Sequence, residues 1–205
     1  ENFRNYIRKK IDKDQNSLLS QAEIDSVTSL NVKNKKIKNL KGIEVFAKLK
    51  ELRCYSNKLT SLDLSRNTAL EILDCERNQL TELNLGKNTA LTCLECENNS
   101  LKALNVSGLS NLQMLYCHNN ELTSLDISKN TALRVLYCDG NQLASLDISK
   151  NTALEMVYCN SNQLSNLDVS NCSALSELVR STKREHIEEQ GYDFHTLQYG
   201  TERTS

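Results

Sequence analysis

Two sets of residues in this 205-residue chain combine type and spacing in ways that could support chemistry. The first lies near the amino terminus, where Asp12, Asp14, Asn16, Ser20 and Glu23 fall at positions one, three, five, nine and twelve of a twelve-residue window. The Leu18 carbonyl would supply position seven, and Leu19 stands where an apolar residue anchors such a loop. Alternating hard oxygen donors that end in a carboxylate able to give two oxygens form the pattern that surrounds a Ca²⁺ ion. Position six is Ser17 rather than Gly, which adds a steric cost if the loop turns through positive φ there. Without an ion, the same stretch reads as a helix–loop–helix cap with Asp12 as an ordinary turn residue.

The second set is cysteine. Cys54, Cys75, Cys96, Cys117, Cys138 and Cys159 are spaced by 21 residues every time, and they are six of the eight cysteines in the chain. Soft thiolates suit zinc or iron–sulfur clusters. No two of these six form a CxxC pair with each other, however, and each is flanked by Leu or Val, which favours a column of buried thiols filling an apolar interior. Disulfides between successive copies are disfavoured: side chains on neighbouring parallel strands sit about 4.8 Å apart, outside the Cβ separation of about 3.5–4.5 Å that a disulfide needs.

Acid–base catalysis has a weaker basis. Glu76 and Glu97 could pair as two carboxylates, but the pattern sets them on a flat, exposed sheet with no nucleophile or lid, and His118, His186 and His195 are scattered. No enzyme is expected. With 25 Lys+Arg against 26 Asp+Glu, net charge gives no reason to expect nucleic acid, and no apolar run approaches the length of a membrane span.

Positioning these residues falls to a repeat. Each coil reads LxxLxCxxN followed by LxxLxL, as in Leu70, Leu73, Cys75, Asn78, Leu80, Leu83 and Leu85, or Leu133, Leu136, Cys138, Asn141, Leu143, Leu146 and Ile148. Asn57, Asn78, Asn99, Asn120, Asn141 and Asn162 trail the cysteines by three positions, and Asn67, Asn88, Asn130 and Asn151 mark the other half of the coil, with Leu109 and Cys172 as departures. An earlier coil carries a one-residue insertion (Val27, Leu30, Val32, Ile37, Leu40), and a last one starts at Leu175 and Leu178. A single coil cannot bury its own leucines, so stacked coils must share one core. The amide of a ladder Asn can satisfy backbone groups where the chain turns out of the sheet. The near-twofold character of the coil predicts extended segments on both of its faces.

The motif LxxLxCxxNQLTxLDLSxNTA, in Leu70 to Ala90 and Leu133 to Ala153 with small changes, resembles the cysteine-type leucine-rich repeats of bacterial internalin-like surface proteins. The likeness covers residues 27 to 180. It implies a right-handed solenoid, mainly β with short parallel strands and little helix, on a secreted or cell-surface bacterial protein that binds other macromolecules. It implies no active site. The amino-terminal loop resembles EF-hand and dockerin-type calcium loops. Neither an anchor motif nor a signal peptide is present, and the chain is expected to begin after a processed leader.

The expected organisation is a helical EF-hand-like cap over 1–26, the solenoid over 27–180, and a carboxy-terminal cap or tail over 181–205. Phe3, Tyr6, Ile7, Lys10 and Ile11 lie at helical spacing in the first of these.

Steps of 21 residues sort the strand face into columns. Arg53, Asp74, Glu95, Tyr116, Tyr137 and Tyr158 form one; Tyr55, Glu76, Glu97, His118, Asp139 and Asn160 form another; Glu51, Ile72, Cys93, Met114, Val135 and Met156 form a third. The opposite half repeats Asp or Asn with Ser or Gly. The varied face is the expected binding surface, through tyrosines that offer rigid amphipathic area beside apolar and acidic side chains. A protein partner with basic and apolar groups fits, bound by a monomer; a carbohydrate is the alternative ligand. In a competing reading the tyrosines only stack on one another as a ladder that stabilises the sheet.

Overall fold

A computed structural model describes residues 3–16 and 18–179. The expected carboxy-terminal cap over 181–205, and Ser17 within the loop, lie outside the described residues.

Helix α1 (Phe3–Lys10) and helix α2 (Gln21–Asp25) precede eight three-residue strands: β1 (Ser29–Asn31), β2 (Glu51–Arg53), β3 (Ile72–Asp74), β4 (Cys93–Glu95), β5 (Met114–Tyr116), β6 (Val135–Tyr137), β7 (Met156–Tyr158) and β8 (Glu177–Val179). They form one parallel sheet in chain order. The fold is a leucine-rich-repeat solenoid with a small helical segment at its amino end. The 21-residue period becomes geometry in the pairing of Leu73 with Leu94 and of Leu94 with Leu115. The one-residue insertion appears as the 22-residue step from Leu30 to Leu52.

Alternation along each strand sends Leu52, Leu73, Leu94, Leu115, Leu136 and Val157 into a continuous core, where all are fully buried. The six periodic cysteines join them at 3% exposure or less, and burial pushes the thiols well above their ordinary range. All eight cysteines are free thiols.

The ladder asparagines knit the coils together. Asn120 donates through Nδ2 to the carbonyls of Cys96 and Cys117, both at 3.1 Å, and accepts at Oδ1 from the Leu101 N–H. Asn78, Asn99, Asn141 and Asn162 repeat this bridge. The residue just before each ladder Asn takes the left-handed conformation: Ser56, Arg77, Asn98, Asn119, Gly140 and Ser161. That turn redirects the chain out of the sheet. In the second ladder, Asn151 donates to the Ile127 and Asn130 carbonyls, and Cys172, one coil on, points its thiol at the equivalent Ile148 and Asn151 carbonyls, 3.8 Å from each.

The second face departs from the expectation of strands on both sides. Among the described residues it pairs only once, at Asp63 and Asn84. Local hydrogen bonds explain why: the side chains of Asp63, Asn84, Asn105, Asp126, Asp147 and Asp168 each accept from the backbone N–H two residues on. Such turns give the backbone an alternative to a sheet ladder.

At the amino end, α1 buries Phe3 and Ile7 against the first coil, and the Tyr6 hydroxyl donates to the Asn31 carbonyl at 2.6 Å. Tyr6 and its helix thus cover the edge beside β1, which would otherwise offer unpaired strand groups.

Candidate functional site

The strand face is built by the same alternation that buries the leucines, since residues on either side of each inward Leu must project the other way. Tyr116, Tyr137 and Tyr158 lie at paired positions on β5, β6 and β7. The Tyr116 and Tyr137 rings are 5.0 Å apart and tilted by 37°, whereas Tyr137 and Tyr158 stack at 4.2 Å and 11°. The Tyr158 hydroxyl donates to the Glu177 carboxylate. Met114, Val135 and Met156 run alongside, half-buried like the three tyrosines. His118 packs 6.2 Å from the Tyr137 ring, and burial holds its imidazole down at about 4, so it is neutral at physiological pH. Tyr55 sits under the Lys33 ammonium, 5.2 Å from its ring centre. Asp139 is half-buried and Asn160 buried.

The acidic members of the face differ from the exposed sheet that the sequence pattern suggests. Asp74, Glu76, Glu95 and Glu97 are exposed by only 0%, 7%, 9% and 6%. Column membership fixes which side of the sheet a side chain leaves from, but not how deeply its neighbours, about 4.8 Å above and below, enclose it. Burial, then the nearby Glu95 and Glu76, pushes Asp74 up to about 8 despite the opposing pull of Arg53. Glu97 is raised well above its ordinary range by burial and by the neighbouring Glu76 carboxylate. Arg53 is itself held by Glu51 at 2.5 Å.

Cys93, ahead of Met114 in the third column, is buried on this face with its thiol 3.8 Å from Glu95 Oε1. With Cys96 it makes a CxxC spacing that the period of 21 masks, Cys93 standing on the strand face while Cys96 lies in the core.

The amino-terminal loop gathers part of its expected ligand set. Asp12, Asp14 and Glu23 each offer a carboxylate oxygen, all within 4.8 Å of one another. Hard oxygens brought this close fit Ca²⁺ in kind. Asn16 is tied to Asp14, its Nδ2 donating to Asp14 Oδ2 at 2.7 Å, and its Oδ1 accepts from the Leu18 N–H. Ser20 caps α2, with Glu23 completing a reciprocal capping box. The Glu23 carboxylate also accepts from the Lys13 N–H at 2.7 Å, and this bond, with those from Ser20, holds it below the ordinary carboxylate range. Leu19 packs against the core while the Leu18 side chain is 74% exposed. The left-handed residue of the loop, among those described, is Gln15.

Comparison with known proteins agrees with this architecture. Residues 110–151 match the leucine-rich-repeat family described as "Leucine Rich repeats (2 copies)". No curated protein matches the chain. Among solved structures, the functional domain of InlJ from Listeria monocytogenes, described as including a cysteine ladder, is 33% identical over 80% of this chain and 42% of its own, with a TM-score of 0.64. The Leptospira interrogans leucine-rich-repeat protein LIC12759 is 20% identical over 78% of this chain and 45% of its own, with a TM-score of 0.73. Internalin C2 from Listeria monocytogenes is 22% identical over 88% of this chain and 83% of its own, with a TM-score of 0.82. The chain therefore carries leucine-rich repeats and is structurally similar to Listeria internalins, while spanning less than half the length of the first two chains.

Proposed function

We propose that this chain is a non-enzymatic recognition module that binds a protein partner through the strand face of the solenoid, on a secreted or surface-exposed bacterial protein. The observation that carries this reading is the half-buried stack of Tyr116, Tyr137 and Tyr158 beside Met114, Val135 and Met156. Tyrosines and methionines clustered this way supply contact area at low entropic cost, as interface hot spots do. Stacking favours protein over carbohydrate, because Tyr137 and Tyr158 turn their ring faces to each other rather than outward to a sugar. Extracellular location is supported by the internalin likeness, and no helix among the described residues is long and apolar enough to cross a membrane.

The test is capture of surface proteins from candidate partner cells with the wild-type chain and with Tyr137→Ala, alongside a glycan array. Retention of the same protein that falls at least tenfold with Tyr137→Ala supports the reading. Equal capture by both, or binding only on the array, overturns it.

The amino-terminal loop is proposed to bind one Ca²⁺ through Asp12, Asp14, Asn16, the Leu18 carbonyl, Ser20 and Glu23. The grouping of three carboxylates supports this. An ion there would neutralise the mutual repulsion of those carboxylates and fix the entry angle of α1 on the first coil. Calorimetric titration of the chelated protein with Ca²⁺ tests it, and the absence of binding heat would refute it.

A further inference from the structure

We propose that a groove between the amino-terminal cap and the first coil docks an acidic peptide segment of a partner protein, anchored by one apolar side chain. The groove shares no residue with the strand face, so the inference goes beyond the recognition role of that face and does not rest on it.

Three pieces of chain wall the groove, which encloses about 500 Å³. Helix α1 contributes Phe3 and Ile7, the loop after it Leu18 and Leu19, and the first coil Val45 and Phe46. Phe3, Ile7 and Phe46 are buried and form the floor. Leu18 and Val45 are 74% and 44% exposed, and among the described residues no other large hydrophobic side chain is exposed. Single exposed apolar residues scattered over a surface need no explanation, but here both fall in one depression. Its volume lies within the range of about 300–1,000 Å³ typical of ligand pockets. A concave site of this kind takes in a side chain, whereas the surface of a bilayer does not reach its floor.

Charge selects the occupant. Arg4 and Arg8 are four residues apart on α1, so both guanidinium groups leave the same side of the helix, each next in sequence to a buried floor residue. Lys41 adds a third cation to the lining. All three side chains are exposed and take no part in the ion pairs found among the described residues. The one acidic residue of the lining, Glu44, turns to its own backbone and accepts from the Gly42 N–H at 2.9 Å. An apolar floor is thus flanked by cations without partners. The chain around it has the same sign, since residues 1–58 hold fourteen of the 25 Lys and Arg but only seven of the 26 Asp and Glu. Such a field draws in an acidic segment and turns away a basic one. An apolar side chain of the partner fills the groove beside Leu18 and Val45, while carboxylates on either side of it pair with Arg4, Arg8 and Lys41.

The experiment is selection of a random twelve-residue peptide library on the whole chain, discarding clones that also bind the Arg8→Glu with Val45→Asp variant. The expected survivors carry a large apolar residue flanked by Asp or Glu. A synthetic peptide of the commonest surviving sequence is then titrated by fluorescence anisotropy. Its affinity should fall at least tenfold in Arg4→Glu with Arg8→Glu, in Val45→Asp alone, and when its own acidic residues are replaced by Lys, with circular dichroism and cooperative melting of the variants unchanged. Where one of these variants melts early, Lys41→Glu takes its place with the same loss expected. Absence of survivors, survivors without acidic residues, or full affinity in a folded variant would each overturn the proposal. It would equally be overturned by binding of the wild-type chain, but not of Val45→Asp, to phosphatidylglycerol vesicles, or by a dimer in sedimentation velocity that Val45→Asp dissolves, since these assign the groove to a membrane or to a second copy. No variant here touches the strand face, so failure of this test is distinct from failure of the Tyr137→Ala capture test.

Discussion

Tyr137 and Tyr158 stand 21 residues apart in sequence and stack with ring centres 4.2 Å apart. Tyr137 also meets Tyr116 at 5.0 Å on its other side, so it is the middle of three rings. The same geometry serves stability and recognition, and the two are separable by how much each loses. Truncating Tyr137 removes two ring contacts, each worth roughly 0.5–1.5 kcal/mol. Tyr137→Ala should melt several degrees lower but still cooperatively, whereas Tyr137→Phe, which keeps both contacts, should melt close to wild type. If Tyr137→Ala unfolds the chain, the rings are a stabilising ladder first and any recognition role is secondary.

The register of the sheet was legible in advance because a fixed 21-residue spacing leaves only one way for Leu73, Leu94 and Leu115 to stack. The interior cysteines and the bridging role of Asn120 followed from the same fact. Depth on the strand face did not follow: Asp74 and Tyr116 share a column, yet Asp74 is fully buried and Tyr116 is not. Periodicity says which side a residue leaves from, while enclosure depends on the sizes of its neighbours. The cap was ambiguous for another reason. Ser20 and Glu23 satisfy a helix-capping pattern and a calcium-loop pattern with the same oxygens, and sequence cannot separate two uses of one side chain.

The ladder asparagines offer a direct test of how the coils are held. Asn120 is 8% exposed and serves the Cys96, Cys117 and Leu101 backbone groups. Asn120→Ala would strand these buried groups, at about 1–3 kcal/mol for each one left unsatisfied. Asn120→Asp should be as damaging, because a carboxylate cannot donate to the two carbonyls. Both should lower the urea midpoint far more than Asn111→Ala on the exposed surface. Equal midpoints would mean that the bridge contributes little.

Thiol reactivity tests the interior. Cys54, Cys75, Cys96, Cys117 and Cys138 are fully buried, and burial keeps their thiols protonated at neutral pH. Since the thiolate is the nucleophile, native protein should leave these five unmodified by a bulky maleimide over hours, and all eight should react in denaturant. Peptide mass mapping identifies the labelled sites. Rapid native labelling of Cys96, in the middle of the column, would contradict the packing.

Calcium should act on the cap and not on the repeats. A ligand present at one hundred times its dissociation constant stabilises the state that binds it by about 2.7 kcal/mol. The part of that gain visible in melting should disappear in Asp14→Ala, whose side chain is exposed and bonds only to Asn16 among the contacts described. Glu23→Gln is the less informative variant, because it also disturbs the bonds from Lys13 and Ser20. Amide exchange should slow in residues 3–25 on adding Ca²⁺ and stay unchanged around Cys117. A uniform change along the whole solenoid would point to nonspecific binding.

Stability should fall as the solution becomes alkaline, and the cause is the acidic cluster. Asp74 moves from its ordinary value of 3.8 up to about 8 on folding. Between those values the folded state binds more protons than the unfolded one, so stability declines with rising pH, by up to about 1.4 kcal/mol per unit for one proton, and levels off above the folded value. His118 works in the opposite sense: lowered from 6.5 to about 4, it adds stability as pH rises between those two values. The contributions oppose each other below pH 6.5, which leaves the window from about 6.5 to 8 as the one where Asp74 acts without His118. Wild-type protein should lose stability across that window in chemical denaturation, and Asp74→Asn, which needs no proton to stay neutral, should make the slope shallower, leaving the share that the raised Glu97 contributes in the same sense. An unchanged slope in Asp74→Asn would show that the carboxyl ionises freely and that the face is open to water at this point.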